Sequence, residues 1–227
     1  VNLEFPYGEY ENITDLPVIH VEFASLKEFE QKDAKLILLD TPGANEAGES
    51  KHLKRILKQQ LRKSSGVIAI LDYTQLKSEA DHELRDEVKK VVELNSESHL
   101  YVMVNKFDQK DSRSDDAETV KQIVSQDLMQ GHVKPENVFP VSSNLAYLAN
   151  RARDVLNKTG KLPNPQVELW VADLADKVLR ADLDELDELS EQEITRKLEK
   201  SWEKSGFSEP LTKVIATTYQ NAIFYIL

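Results

Sequence analysis

Two short runs in the 227-residue sequence combine residue types that could do chemistry. The first is Asp40-Thr41-Pro42-Gly43, directly after the apolar run Leu36–Leu39. A carboxylate at the carboxyl end of a parallel strand faces the crevice in which open α/β sheets bind their ligands. There Asp40 could hold a Mg²⁺ ion through water, and Gly43 would let a bare backbone N–H approach a terminal phosphate. The second run is Asn105-Lys106-Phe107-Asp108, again directly after apolar residues, Leu100–Val104. The Asp108 carboxylate could accept hydrogen bonds from N1–H and N2–H₂ of guanine, donors that adenine does not offer together. A site built around that pairing rejects the wrong base, because the buried carboxylate would be left unpaired. Asn105 would tie the loop together and approach the purine edge, and the aliphatic stem of Lys106 would cover a base face. Each run taken alone also suits a plain turn after a strand. Ser142-Ser143 follows a later apolar run, Val138–Val141, and would put a third loop on the same crevice.

The elements that must position these loops are legible from periodicity. Val18–Phe23 reads as a strand after 17 irregular residues, and Lys35–Leu39, Gly66–Leu71 and Leu100–Val104 are near-continuous apolar runs, with Val138–Val141 a shorter one. Continuous apolar strands are what a parallel sheet covered on both faces requires. Between them lie helix-period segments, with Leu53, Ile56, Leu57 and Leu61 on one face of the first. Leu84, Val88, Val91 and Val92 line the second, and Ala117, Val120, Val124 and Leu128 the third. Strands alternating with amphipathic helices predict an α/β fold with a mostly parallel sheet. Helices are then expected at Leu145–Leu156 and Val167–Leu179, separated by a break at Gly160–Pro165. Ser208 is expected to cap a last helix with Pro210 in its first turn. Asp182–Glu193, acidic with interleaved leucines and no basic residue, is expected to be the solvated face of a helix.

Order adds to the two motifs what neither has alone. Asp-x-x-Gly followed by Asn-Lys-x-Asp, each at a strand end, resembles the G3 and G4 motifs of P-loop GTPases, with Ser142-Ser143 in the place of G5. A narrower resemblance covers most of the chain: Leu38–Gly48, Val67–Leu76, Val104–Asp108, and Phe139–Arg153 with its Tyr-Leu-Ala-Asn-Arg-Ala-Arg. These segments are similar to bacterial dynamin-like GTPases, and within them to the clamp-binding branch that co-localises replication forks. The resemblance implies a protein that binds and hydrolyses GTP with Mg²⁺ and whose self-association through the GTPase domain follows its nucleotide state. It implies GTP-binding roles for Asp40, Gly43, Asn105, Lys106, Asp108, Ser142 and Ser143, with Asp40 also on the metal through water. It makes Ala44–Ser50 switch II. The implied division is a partial GTPase domain over 1–157, carrying G3 to G5, and a helical segment over 158–227 that completes the domain and leads towards a stalk. Clamp or membrane partners would engage segments outside this one.

One departure from the family is plain: no Gly-x-x-x-x-Gly-Lys-Ser/Thr occurs in the chain. That loop supplies the backbone amides and lysine that cradle the phosphates. The switch I threonine is not identifiable, Thr14 being the sole upstream candidate, and no catalytic residue is assigned. The expected fold is thus an incomplete P-loop GTPase-type sheet, lacking its first strand and phosphate loop, with flanking and C-terminal helices. The strands ending at Asp40 and Asp72 would each present an unpaired edge. The opening Val1 and the apolar end Ala222–Leu227 suit a segment of a longer protein, and the chain alone is expected to be marginally stable and without GTP turnover. The alternative is a non-catalytic GTPase-like scaffold acting through its acidic helices, and a third reading is a simple monomeric Era-like GTPase without a stalk.

Composition narrows the field further. The chain carries 29 Lys+Arg against 40 Asp+Glu, a formal charge of −11, which argues against a general nucleic-acid surface. The absence of cysteine excludes disulfides, thiolate metal sites and a cysteine nucleophile, and suits a cytoplasmic setting. The longest apolar runs, Val67–Leu71 and Ala222–Leu227, fall far short of the ~20 residues needed to span a bilayer. The five histidines show no zinc-ligand spacing. Gln126–Gln130, the nearest run to a sliding-clamp peptide, reads as plain helix. Trp170 and Trp202 read as packing residues, and Arg151 and Arg153 as a solvated helix face.

Overall fold

The computed structural model describes residues 37–38, 64, 66–76, 99–110 and 114–216, all within the larger of two units, Asp33–Leu227. The strand expected at Val18–Phe23, the helices expected around residues 53–61 and 84–92, the Asp40–Gly43 motif, switch II and Thr14 lie outside the described residues.

Three strands, β1 (Gly66–Asp72), β2 (His99–Asn105) and β3 (Val138–Pro140), form a parallel sheet in the order β1-β2-β3. The register runs from Gly66 opposite His99 to Asp72 opposite Asn105, and from Val102 opposite Val138 to Val104 opposite Pro140. Alternate residues serve opposite faces, as the pleat dictates. On one face Leu71, Leu100, Val102, Val104 and Val138 pack with Val120, Val124, Leu128 and Val133. On the other, Tyr101, Phe139 and Val141 pack with Val214, flanked by Ile68, Met103 and Phe207. Both faces of β2 are covered, as its continuous apolar run suggests, whereas β1 is mostly half-buried and its Ile70 is 67% exposed.

Helix α1 (Ala117–Gln122) is opened by Asp116, whose carboxylate accepts from the Thr119 N–H at 2.8 Å, and runs on as a π-helical stretch to Leu128. Within that stretch the buried Ser125 hydroxyl donates to the Val133 carbonyl at 2.6 Å, so the polar group in this core is satisfied. Leu128 and Met129 are core residues, and Gln126–Gln130, expected as plain helix, is the end of the π-helical stretch and the turn that follows it.

Helix α2 (Ser143–Thr159) closes on Gly160 at φ 73, α3 (Leu169–Leu174) continues as a π-helical stretch to Leu179, and α4 (Glu191–Lys204) follows. Leu148, Ala152, Trp170, Leu174, Leu179, Ile194 and Leu198 from these three helices form a second large core. The border expected at residue 157 therefore falls inside the last turn of α2. A short α5 (Ser208–Pro210) runs on through Ala216 and brings Val214 to the sheet. Among the described residues no helix is long and apolar enough to cross a membrane.

Three expectations need correction. Ile37 and Leu38, the described part of the strand expected at Lys35–Leu39, lie in neither helix nor strand and are 73% and 57% exposed. An apolar run becomes a strand only where a neighbour pairs its backbone and covers its side chains. Residues 182–190 are turns and a short 3-10 segment rather than a helix, because the helix signal belongs to Ser190. Its hydroxyl accepts from the Glu193 N–H while Glu193 reaches back, a capping box that starts α4 there. The last helix begins with Phe207, not Ser208, at the cap: the Phe207 carbonyl accepts from the Leu211 N–H at 3.2 Å.

Candidate functional site

The loop after β2 is locked from several directions. Lys106 adopts φ 63 and ψ 26, a left-handed conformation that costs an L-residue about 1–2 kcal/mol and persists only where neighbours hold it. The Phe107 N–H donates to the Val141 carbonyl at 3.0 Å, and the Val141 N–H donates to the Val104 carbonyl at 2.8 Å. These two bonds fasten the ends of β2 and β3 together. The Asn105 side-chain oxygen accepts from the Ser143 N–H at 2.9 Å, which joins the Asn105 loop to the Ser142 loop.

Laterally, the Lys106 ammonium reaches the end of β1 and donates to Asp72 at 2.6 Å. The other Asp72 oxygen accepts from the Thr74 N–H at 2.9 Å and the Thr74 hydroxyl at 2.7 Å. The Lys106 hydrogen bond first, then those from Thr74, hold the Asp72 carboxyl below the usual carboxylate range. Phe107 meets Tyr73 edge to face with ring centroids 5.1 Å apart, and Lys110 lies over the Phe107 ring at 4.5 Å. Asp108 sits in the single 3-10 turn Phe107–Gln109. Its carboxylate is exposed, with no partner among the described residues.

The two serines divide the work. Ser142 is buried, and its hydroxyl accepts from the Leu145 N–H at 3.2 Å as the N-cap of α2. Its backbone N–H donates to the Ser205 carbonyl, just past the end of α4, at 2.8 Å. Ser142 therefore fixes the loop, and the Ser143 backbone is what meets Asn105. Beside Ser205, Gly206 at φ 69 approaches the sheet so closely that a Cβ there would stand 2.5 Å from the Pro140 carbonyl oxygen.

Five of the seven expected site residues, Asn105, Lys106, Asp108, Ser142 and Ser143, thus gather at the carboxyl ends of β2 and β3. Asp40 and Gly43 lie outside the described residues, and with them the expected metal contact. Among the described residues no group of three or more acidic or histidine side chains could hold a metal ion. Asp72 and Thr74 are the site residues that sequence reasoning missed. The signal was present: Asp72, like Asp40, is the carboxylate directly after an apolar run. Arg151 is not a freely solvated side chain: it bonds Tyr147, pairs with Glu168 at 3.1 Å and stacks 4.5 Å from the centroid of the Trp170 ring.

The parallel sheet with helices on both faces is an incomplete α/β fold of the P-loop GTPase type. Over its whole length the chain is 44% identical to the Clamp-binding protein CrfC of Escherichia coli, and equally to that of Escherichia coli strain K12. Each alignment runs over 232 residues and takes in 100% of this chain but 30% of the relative, so the chain spans under a third of the curated proteins it matches. The chain is thus homologous over its whole length to a segment of these proteins, which are dynamin-like, the family that its motifs resemble. No family model matches it, and no solved structure does.

Proposed function

We propose that the chain forms the guanine-reading part of a longer dynamin-like GTPase. In this reading Asp108 selects the base by accepting from both guanine donors, Asn105 joins the two base-side loops, and Lys106 covers one face of the purine. Asp40 and Gly43 respond to Mg²⁺ and the γ-phosphate, and Ser142 and Ser143 close the base pocket. Hydrolysis in such enzymes is positioning and electrostatic stabilisation rather than covalent catalysis. The parent would couple GTP hydrolysis to self-association. The 227 residues contain no phosphate-cradling loop, so the isolated chain would not turn GTP over.

The observation that carries the reading is the bond from the Ser143 N–H to Asn105. It unites two loops far apart in sequence at one end of a parallel sheet, beside an exposed Asp108 that has no partner among the described residues. Plain turns after strands have no need of such a bond. Clamp binding, which the relative's name states of that protein, has no candidate peptide at Gln126–Gln130, where Leu128 and Met129 are buried.

The test is Asp108→Asn in the full-length protein that bears this chain. The variant replaces a carboxylate acceptor by an amide that also donates, so preference should move from guanine towards xanthine nucleotides. Equilibrium binding of fluorescent GDP, with unlabelled GDP and XDP as competitors, reads the change. Unchanged preference for guanine would remove Asp108 from the site.

A further inference from the structure

Resting on that guanine-site reading, we propose that Asp72 is a positioning residue that holds the Lys106 stem in place as a preformed platform for the purine ring. Asp72 lies opposite Asn105 in the β1–β2 register, so a side chain leaving Lys106 towards it crosses sideways from one strand end to the next. Neighbouring strands are about 4.8 Å apart, a span that a lysine stem covers.

Ordinary surface ion pairs are loose and hold little. This one differs in three ways. The Asp72 carboxylate is itself fixed, because its second oxygen is taken by the Thr74 N–H and hydroxyl. The Lys106 backbone is fixed in a left-handed conformation, between Asn105 tied to Ser143 and Phe107 tied to Val141. The Asp72 side chain is also partly buried, at 25% exposed, whereas Lys106 remains 48% exposed and so keeps a free side for a ligand. Both ends of the stem are anchored while its length stays accessible. A base that stacks on it meets a side chain already ordered, and the entropy of ordering a flexible lysine is not charged to binding.

Stacking on an aliphatic stem does not depend on which purine is present. Asp72 should therefore govern affinity for all purine nucleotides alike, whereas Asp108 governs the choice among them. In the full-length protein, Asp72→Asn keeps the size of the side chain and an oxygen for Thr74 but removes the charge that holds Lys106. Binding of fluorescent GDP should weaken by roughly threefold to tenfold, with the GDP-to-XDP preference unchanged. Lys106→Met keeps the stem and removes the ammonium, so it should cause a similar loss. Adding Asp72→Asn to Lys106→Met should then cause no further loss. A merely structural role for Asp72 would instead give additive losses in the double variant, and that result overturns the proposal. Wild-type affinity in Asp72→Asn, alongside an altered preference in Asp108→Asn, overturns it too while the guanine site stands. A full-length protein that binds no guanine nucleotide overturns the site reading and this inference with it.

Discussion

Gly206 brings the C-terminal helices into close backbone contact with the sheet, and its replacement by alanine tests the packing quantitatively. Two effects add. At φ 69 any L-residue meets the left-handed penalty, about 1 kcal/mol for alanine. The new methyl would also stand 2.5 Å from the Pro140 carbonyl oxygen, 3.6 Å from its carbon and 3.7 Å from the Val141 Cα. All three are backbone atoms, so no side-chain rotation relieves the overlap. The segment cannot slide freely either, since the Val141 and Ser142 N–H groups are bonded to Val104 and Ser205. Overpacking of this kind adds about 1–3 kcal/mol, giving about 2–4 kcal/mol in total.

Gly160→Ala supplies the control. Gly160 closes α2 at φ 73, and a methyl placed there would meet nothing within 4 Å, so only the left-handed penalty of about 1 kcal/mol applies. Urea unfolding of the two variants and the wild type, followed through the fluorescence of Trp170 and Trp202, gives the comparison; the chain has no other tryptophan. With a urea slope of about 2 kcal/mol per molar, the Gly160 variant should lose about 0.5 M in midpoint and the Gly206 variant about 1–2 M. Equal midpoints for the two variants would refute the close approach of Gly206 to Pro140.

Two further outcomes follow from the hydrogen bonds. Asn105→Ala removes the acceptor for the Ser143 N–H, so exchange of the Ser143 amide with deuterium should speed up by about fivefold to tenfold, the loss of a bond worth about 1 kcal/mol; unchanged protection by NMR would show that the two loops are not tied there. The Glu193 carboxyl is held below the usual range by the Ser190 hydroxyl first and the Ser190 N–H second. A depressed carboxyl adds stability above its unfolded pKa of about 4.3, and that stability is lost as pH falls through the lower folded value. The unfolding midpoint of the wild type should therefore drop more than that of Glu193→Gln between about pH 5 and 3, and parallel pH curves for the two would contradict the capping box.

What the sequence shows and what it conceals follow from the range of the interactions. β2 is legible because burial on both faces demands unbroken apolar residues, β1 because its run of branched apolar residues suits a strand although Ile70 stays exposed, and Val120, Val124 and Leu128 because one helix face packs on the sheet. Gly160 marks the end of α2 because a left-handed cap favours glycine. At Asp182–Glu193 two local signals compete. Leucines at 183, 186 and 189 recur every third residue and suggest a helix, while Ser190 and Glu193 specify its start. The capping box prevails, leaving Leu186 as a buried anchor and Leu183 half exposed. Asn105 and Asp108 are legible because they end and follow β2, and Ser142 because it follows β3. The pairing of Asp72 with Lys106 is not, since it depends on which strand lies beside which, and no local scan contains that register.

The loops at the carboxyl end of the sheet are also tied to the helical layer through consecutive residues. The Ser142 N–H holds the Ser205 carbonyl, just past the end of α4, and the next N–H, that of Ser143, holds Asn105. One residue earlier, Val141 is bonded both to Val104 and to Phe107. Any displacement of the end of α4 must therefore be taken up at residues 140–143 or break a bond there. The strand end beneath is short and buried and has little slack, with Val138 and Phe139 almost fully enclosed. Gly206 makes the arrangement possible, because a side chain at that position would push Ser205 away from Ser142. If Asp108 and Asn105 read guanine as proposed, the helices that follow the sheet are separated from the base-reading loop by two hydrogen bonds on adjacent residues.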